Sequence, residues 1–166
     1  MMNRLVAFYD RGVQIAASRL PESAALFLLR LALAGVFWRS GQTKVVEGSF
    51  LSIDPAQYDL FASEFSGLPL DPAFAVPLTT YAEHFFPILL LFGLATRFSA
   101  GALLMMTLVI QIFVFPDAWW PVHSLWVAMA AILIVRGGGL FSLDALLAAV
   151  RPKSSSSNLR LSTADR

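Results

Sequence analysis

The sequence predicts an all-α fold: a transmembrane four-helix bundle with N- and C-termini cytoplasmic, plus short interfacial helices. Three observations carry that expectation. The 166 residues are 57% hydrophobic and 14% charged, with a mean hydropathy of +0.69, against about 25% charged residues in a soluble domain. Four apolar stretches are each long enough to cross a bilayer, which takes about 17–25 helical residues. The basic residues gather on one side of the resulting four-span arrangement. The same composition excludes extensive disorder, and a formal net charge of +1 argues for no nucleic-acid partner. The sequence has no cysteine, which removes disulfide exchange, persulfide relays, thiolate metal sites and iron–sulfur clusters.

Residues 1–23 read as an amphipathic interfacial helix. Leu5, Phe8, Tyr9, Gly12, Val13, Ala16 and Leu20 share one helical face, with Arg4, Arg11, Gln14 and Ser18 opposite. That pattern suits a helix lying on the inner leaflet. Asp10, Arg11, Gln14 and Arg19 interrupt any continuous apolar core, so the segment does not read as a cleavable signal peptide. The membrane domain occupies 24–150. Its first span, about 24–43, follows Pro21 and Glu22, residues suited to a helix N-terminus.

An outer loop, 45–71, contains Asp54-Pro55 and Gly67. An N-cap followed by proline, then a glycine stop, predicts a short helix. Tyr58, Phe61 and Phe65 share its face, so it is expected to lie on the rim as a lid. The second span, 77–95, is separated from the third, 98–115, only by Thr96-Arg97. Pro116-Asp117 breaks the chain before the fourth, 119–135. Such short connections make antiparallel neighbours. Gly137 to Gly139 form a turn without the Lys-Ser/Thr of a P-loop, and Ser142 caps a short helix ending near Val150. Residues 151–166, with Ser154 to Ser157 in a row, read as a disordered polar tail.

Orientation follows from charge. Arg4, Arg11, Arg19, Arg97, Arg136, Arg151, Lys153, Arg160 and Arg166 lie on one side, whereas the outer loop carries Glu47, Asp54, Asp59, Glu64 and Asp71. The positive-inside rule therefore predicts a multi-pass protein with both termini cytoplasmic. Trp119, Trp120 and Tyr81 fall where an outer aromatic belt is expected.

Ionisable groups inside spans mark function or helix registration, because each is costly unless paired or hydrated. At ~1.5 Å per helical residue, Arg39 stands ~22 Å above the inner boundary, Glu83 and His123 ~18 Å, and Gln111 ~20 Å. His84 shares that level, Lys44 closes the first span, and Trp126 lies one turn from His123. These seven residues form a candidate buried polar layer or ligand-binding site in the outer half of the bundle. The leading reading is an Arg39–Glu83 ion pair that registers two helices, with Gln111 and His123 completing its hydrogen bonds. A ligand pocket under the lid comes next. A haem held by His84 and His123 is the least favoured, and no metal site is expected. Arg30, only ~9 Å above the inner boundary, either snorkels to the head groups or belongs to a second site. No catalytic signature stands out.

These residues also resemble a known family. Arg30-Leu31-Ala32 through Phe37, Ser40-Gly41-Gln42-Thr43-Lys44, Ala82-Glu83 with Pro87, and Phe92-Gly93-Leu94-Ala95-Thr96-Arg97 are similar to the DoxX signatures. The stretch Ile110 to Trp119 with His123 and Trp126, the segment Phe61 to Pro69, and the ending Gly139 to Asp144 are similar to one bacterial branch of that family. The resemblance covers about 24–150. It implies a four-span inner-membrane protein, of a kind some of whose members are linked to thiosulfate–quinone oxidoreduction or to redox-stress complexes. The matching branch is often encoded beside small metal-binding peptides. It supplies no settled catalytic residues.

Two functions follow as expectations. One is a non-catalytic subunit or small-molecule binder in redox or metal-stress handling, contacting membrane lipids and a membrane or periplasmic protein partner. The alternative is a quinone-interacting oxidoreductase subunit in which the polar layer meets the quinone head. A transporter fits less well, because four spans are few and no internal repeat is evident.

Overall fold

Capping chemistry, more than hydropathy, sets where each helix begins and ends. The computed structural model describes residues 2–16 and 18–151 and contains seven α-helices among them: α1 Met2–Ala16, α2 Arg19–Gln42, α3 Ala56–Ser63, α4 Pro72–Phe92, α5 Thr96–Phe113, α6 Ser124–Arg136 and α7 Leu143–Val150. A 3₁₀ turn, Pro116–Ala118, and a π-helical turn, Trp119–His123, lead into α6. Four segments are long and apolar enough to span a membrane: α2, α4, α5 and Pro116–Arg136.

The spans begin and end where local chemistry dictates. Asp71 accepts the Ala73 N–H at 2.7 Å, with Pro72 at the first helical position, so α4 starts five residues before the expected Pro77. Gly93, at φ 66°, ends α4 in the left-handed conformation. The amphipathic segment stops at Ala16 rather than at residue 23, and Arg19 opens the first span. On α1 the described side chains, polar and apolar alike, are exposed, Val6, Phe8, Tyr9, Val13 and Ile15 among them. Asp54 caps α3 through the Ala56 N–H at 2.9 Å, and Ser142 caps α7 through the Ala145 N–H at 3.2 Å. The expected polar tail lies outside the described residues apart from Arg151.

The bundle core joins Leu26, Leu33, Ala34 and Phe37 of α2 to Leu90 of α4, Ala100 and Leu103 of α5, and Ala130 and Leu133 of α6. Leu28, Leu78, Phe85, Phe98, Met105, Ile112, Leu125 and Val135 face outward, as lipid-facing helix surfaces require. Inside, Thr80 and Thr107 bond the carbonyls four residues back, so these two hydroxyls are satisfied at helix contacts. A second core lies at the opposite end from α1 and α7. There Phe61 of α3 packs on Ala75 and Val76 of α4, flanked by Ile53, Phe65 and Leu68. Phe61 and Phe65 stack at 4.4 Å, and Phe65 meets Phe115 at 5.9 Å. The loop helix therefore forms a packed cap over that end.

Candidate functional site

Beneath the α3 cap lies a cavity of ≈ 540 Å³. Its walls come from all four spans, including Phe37 and Ser40 of α2, Ala82 and Phe86 of α4, Met106 and Val109 of α5, and Trp126 of α6. Phe61 and Phe65 close the top. Leu78 of α4 and Met105 of α5 also line it, yet both are strongly exposed. The cavity is therefore not fully enclosed, and these outward-facing residues of α4 and α5 stand at its edge.

One polar spot on this wall is a buried ion pair, Lys44 Nζ to Glu83 Oε2 at 2.6 Å. Lys44 also donates to Ser40 Oγ at 3.1 Å. The lysine follows the end of α2, and its long side chain reaches back along the helix, the direction helical side chains favour. Arg39, the expected partner of Glu83, is instead exposed and makes no ion pair among the described residues. Helix geometry explains the correction: at ~100° per residue Arg39 sits ~200° from the buried Phe37, whereas Gly41 and Lys44 return to within ~40° of it. Depth alone selected the wrong cation, and angular position would have selected the right one.

The other polar spot is His123, which is 3% exposed. Its Nδ1–H donates to Gln111 Oε1 at 2.7 Å, and the Gln111 amide donates to the Pro116 carbonyl at 2.6 Å. Nε2 of His123 is left as an acceptor without a partner among the described residues. Gln111 thus stands behind His123 and does not line the cavity. The π-helical turn sets this geometry. Pro121 has no N–H to continue an α-helical ladder, the Ser124 N–H reaches the Trp119 carbonyl five residues back, and the widened turn buries His123 while Trp120 stays 83% exposed. Trp126 packs on His123 at 5.1 Å and on Phe37 at 5.6 Å.

His84 belongs to a different environment. Its Nδ1–H donates to the Thr80 carbonyl at 2.7 Å, and Nε2 accepts from the Gln42 amide at 2.9 Å. Trp38 and Phe50 pack on its ring edge-on at 5.1 and 5.9 Å. Gly41 permits this close approach: a Cβ there would lie 2.8 Å from His84 Cε1. Both ring nitrogens are thus engaged by the protein, and axial ligation of a haem would require His84 to give up its Gln42 contact. Of the seven predicted residues, Lys44, Glu83, His123 and Trp126 meet around one cavity, Gln111 supports it, and His84 and Arg39 lie outside it.

Arg30 forms a second polar cluster, at the end carrying α1 and α7. It is fully buried and donates to the carbonyls of Leu90 at 3.1 Å, Leu91 at 3.3 Å and Phe141. Its guanidinium lies over the Phe27 ring. Snorkelling is therefore replaced by helix capping: the guanidinium reaches carbonyls of the last turn of α4, and a cation suits that end of the helix dipole. Nearby, Asp144 accepts the N–H groups of Ala95 and Thr96 at 2.7 and 2.8 Å, and its own N–H donates to the Gly93 carbonyl at 2.9 Å. The segments Phe92 to Arg97 and Gly139 to Asp144, far apart in sequence, are thereby tied into one knot with Arg30.

Against known proteins, a DoxX family profile matches residues 25–116. An uncharacterized protein of Haemophilus influenzae is 33% identical over 150 residues, covering 81% of this chain and 90% of the relative. No solved structure matches. The family match spans three of the four candidate spans and includes Arg30, Lys44 and Glu83, and the chain is a member of the DoxX family.

Proposed function

We propose that this DoxX protein binds a lipophilic small molecule in the cavity beneath the α3 cap, drawing it from the bilayer between α4 and α5. The observation that carries the reading is an apolar cavity that is edged by outward-facing residues of α4 and α5 and ends at two hydrogen-bonding spots. Such a site suits a hydrocarbon body with a compact polar head. The charges of Lys44 and Glu83 offset each other, which favours a neutral head over an ionic one. Through its family likeness, the role is that of a non-catalytic membrane subunit or binder in redox or metal-stress handling, together with a membrane or periplasmic protein partner.

A quinone-interacting subunit is the second reading, and the incomplete enclosure at α4 and α5 favours it specifically, because a tailed quinone needs lateral access. A hydroquinone hydroxyl can donate to His123 Nε2, and a carbonyl can accept from Lys44 Nζ. Trp126 supplies the test, since quinones quench nearby indole fluorescence. A short-chain ubiquinone analogue should quench the wild-type protein saturably and His123→Phe far less. Saturable binding of a plain alkane with no response to the quinone would support the general binder alone. Absence of saturable binding by either removes both readings.

The family likeness supports insertion in a bacterial inner membrane, and the charge pattern supports α1 and α7 on the cytoplasmic side. A C-terminal fluorescent-protein fusion should then fluoresce in intact cells, and a C-terminal alkaline phosphatase fusion should be inactive. The opposite pair of results would invert the topology.

A further inference from the structure

A second concavity, ≈ 580 Å³, lies at the end carrying α1 and α7, remote from the capped cavity. We propose that it binds the phosphate of a net-anionic phospholipid. Arg97 opens α5 and Arg136 closes α6, and both guanidinium-bearing residues line it. Arg97 donates to the Val135 carbonyl at 3.2 Å through Nη2, and its remaining donors have no partner among the described residues. Arginine's planar set of donors matches phosphate oxygens.

The floor is built closely. Gly137 and Gly139 have φ of 77° and 73°. Between them Gly138 packs so tightly that a Cβ would lie 2.6 Å from Ser142 Cβ and 2.7 Å from Thr96 Oγ1. Thr96 lines the pocket, and its hydroxyl is sealed beneath the floor with no hydrogen-bond partner among the described residues. Asp144 also lines the pocket, but its two oxygens are each taken by a backbone N–H of the α4–α5 turn. Glu22 partners Arg136 from outside and would compete with a bound anion.

The rim selects a lipid over a free anion. Phe98, 68% exposed, lines the pocket, and Val135, 71% exposed, lies beside it in sequence to Arg136. Leu143, Leu146, Leu147 and Val150 of α7 are exposed at the same end. A head group in the pocket thus leaves its acyl chains beside apolar side chains, the arrangement expected of a basic lipid pocket at a bundle end.

Native mass spectrometry of the full chain, released from vesicles of equal phosphatidylglycerol and phosphatidylcholine, reads this site. Wild type should retain phosphatidylglycerol over phosphatidylcholine by about tenfold, the worth of one charge-assisted contact. Arg97→Gln should lose that preference at an unchanged melting temperature, and Glu22→Gln, which releases Arg136, should increase it. Inorganic phosphate separates the sources: lipid retained in its presence assigns the site to the head group, and saturable displacement assigns it to phosphate generally. No preference in wild type, or an undiminished preference in Arg97→Gln, overturns the proposal. Should Arg97→Gln fail to fold, Glu22→Gln decides, a gain supporting the site and no change overturning it.

Discussion

Lys44 and Glu83 show how one contact can hold a membrane bundle in register. The pair joins the end of α2 to the middle of α4 at 2.6 Å in a buried setting. Removing one partner leaves an uncompensated charge, which costs about 3–5 kcal/mol, whereas replacing both can be nearly neutral. Lys44→Met and Glu83→Met should each destabilise the protein strongly, and the double variant should recover most of the loss in thermal denaturation in detergent. A double variant as unstable as the sum of the singles would deny the coupling. Much of this scale is legible in the sequence, because an ionisable residue within a span is conspicuous. Its partner was harder to find, since depth places Arg39 level with Glu83 while helix phase turns it outward. His84 shows the same limit: its depth suits the layer, yet its ring is held by Gln42 and Thr80 on another face.

At the scale of elements, two caps written in the sequence became helix ends, Asp54 for α3 and Ser142 for α7, whereas Asp71, which opens α4 five residues before the expected start, went unread. The π-helical turn was not legible, because its cause is the combination of Pro121 with the packing of His123 rather than a residue pattern. The α4–α5 turn hides another feature. Ala95 adopts φ 48° and ψ 41°, a left-handed conformation that costs an L-residue roughly 1–2 kcal/mol. The Asp144 carboxylate sustains it through the Ala95 and Thr96 N–H groups. Ala95→Gly should therefore stabilise the protein by about 1 kcal/mol, read as a higher melting temperature, because the exposed methyl group contributes little packing. A lowered melting temperature would mean that the turn is not strained.

For the molecule as a whole, apolar composition and loop lengths were enough to specify four spans and a folded outer cap. The cavity was not specified, since its volume depends on how Phe61, Phe65, Phe86 and Trp126 leave space between them. The two ends of the bundle have different chemistry: Arg30 and Asp144 knit one end, and aromatic stacking of the α3 cap covers the other. A rigid knot at one end and an apolar cavity at the other suit a protein that holds a molecule in the membrane. The most direct measurement is mass spectrometry of the organic extract from the purified wild-type protein and from Ala82→Phe, which places a ring in the proposed opening between α4 and α5. The account predicts a lipophilic molecule retained in near-stoichiometric amount by wild type and lost from a folded Ala82→Phe variant. Equal amounts of the same lipids from both proteins would contradict it.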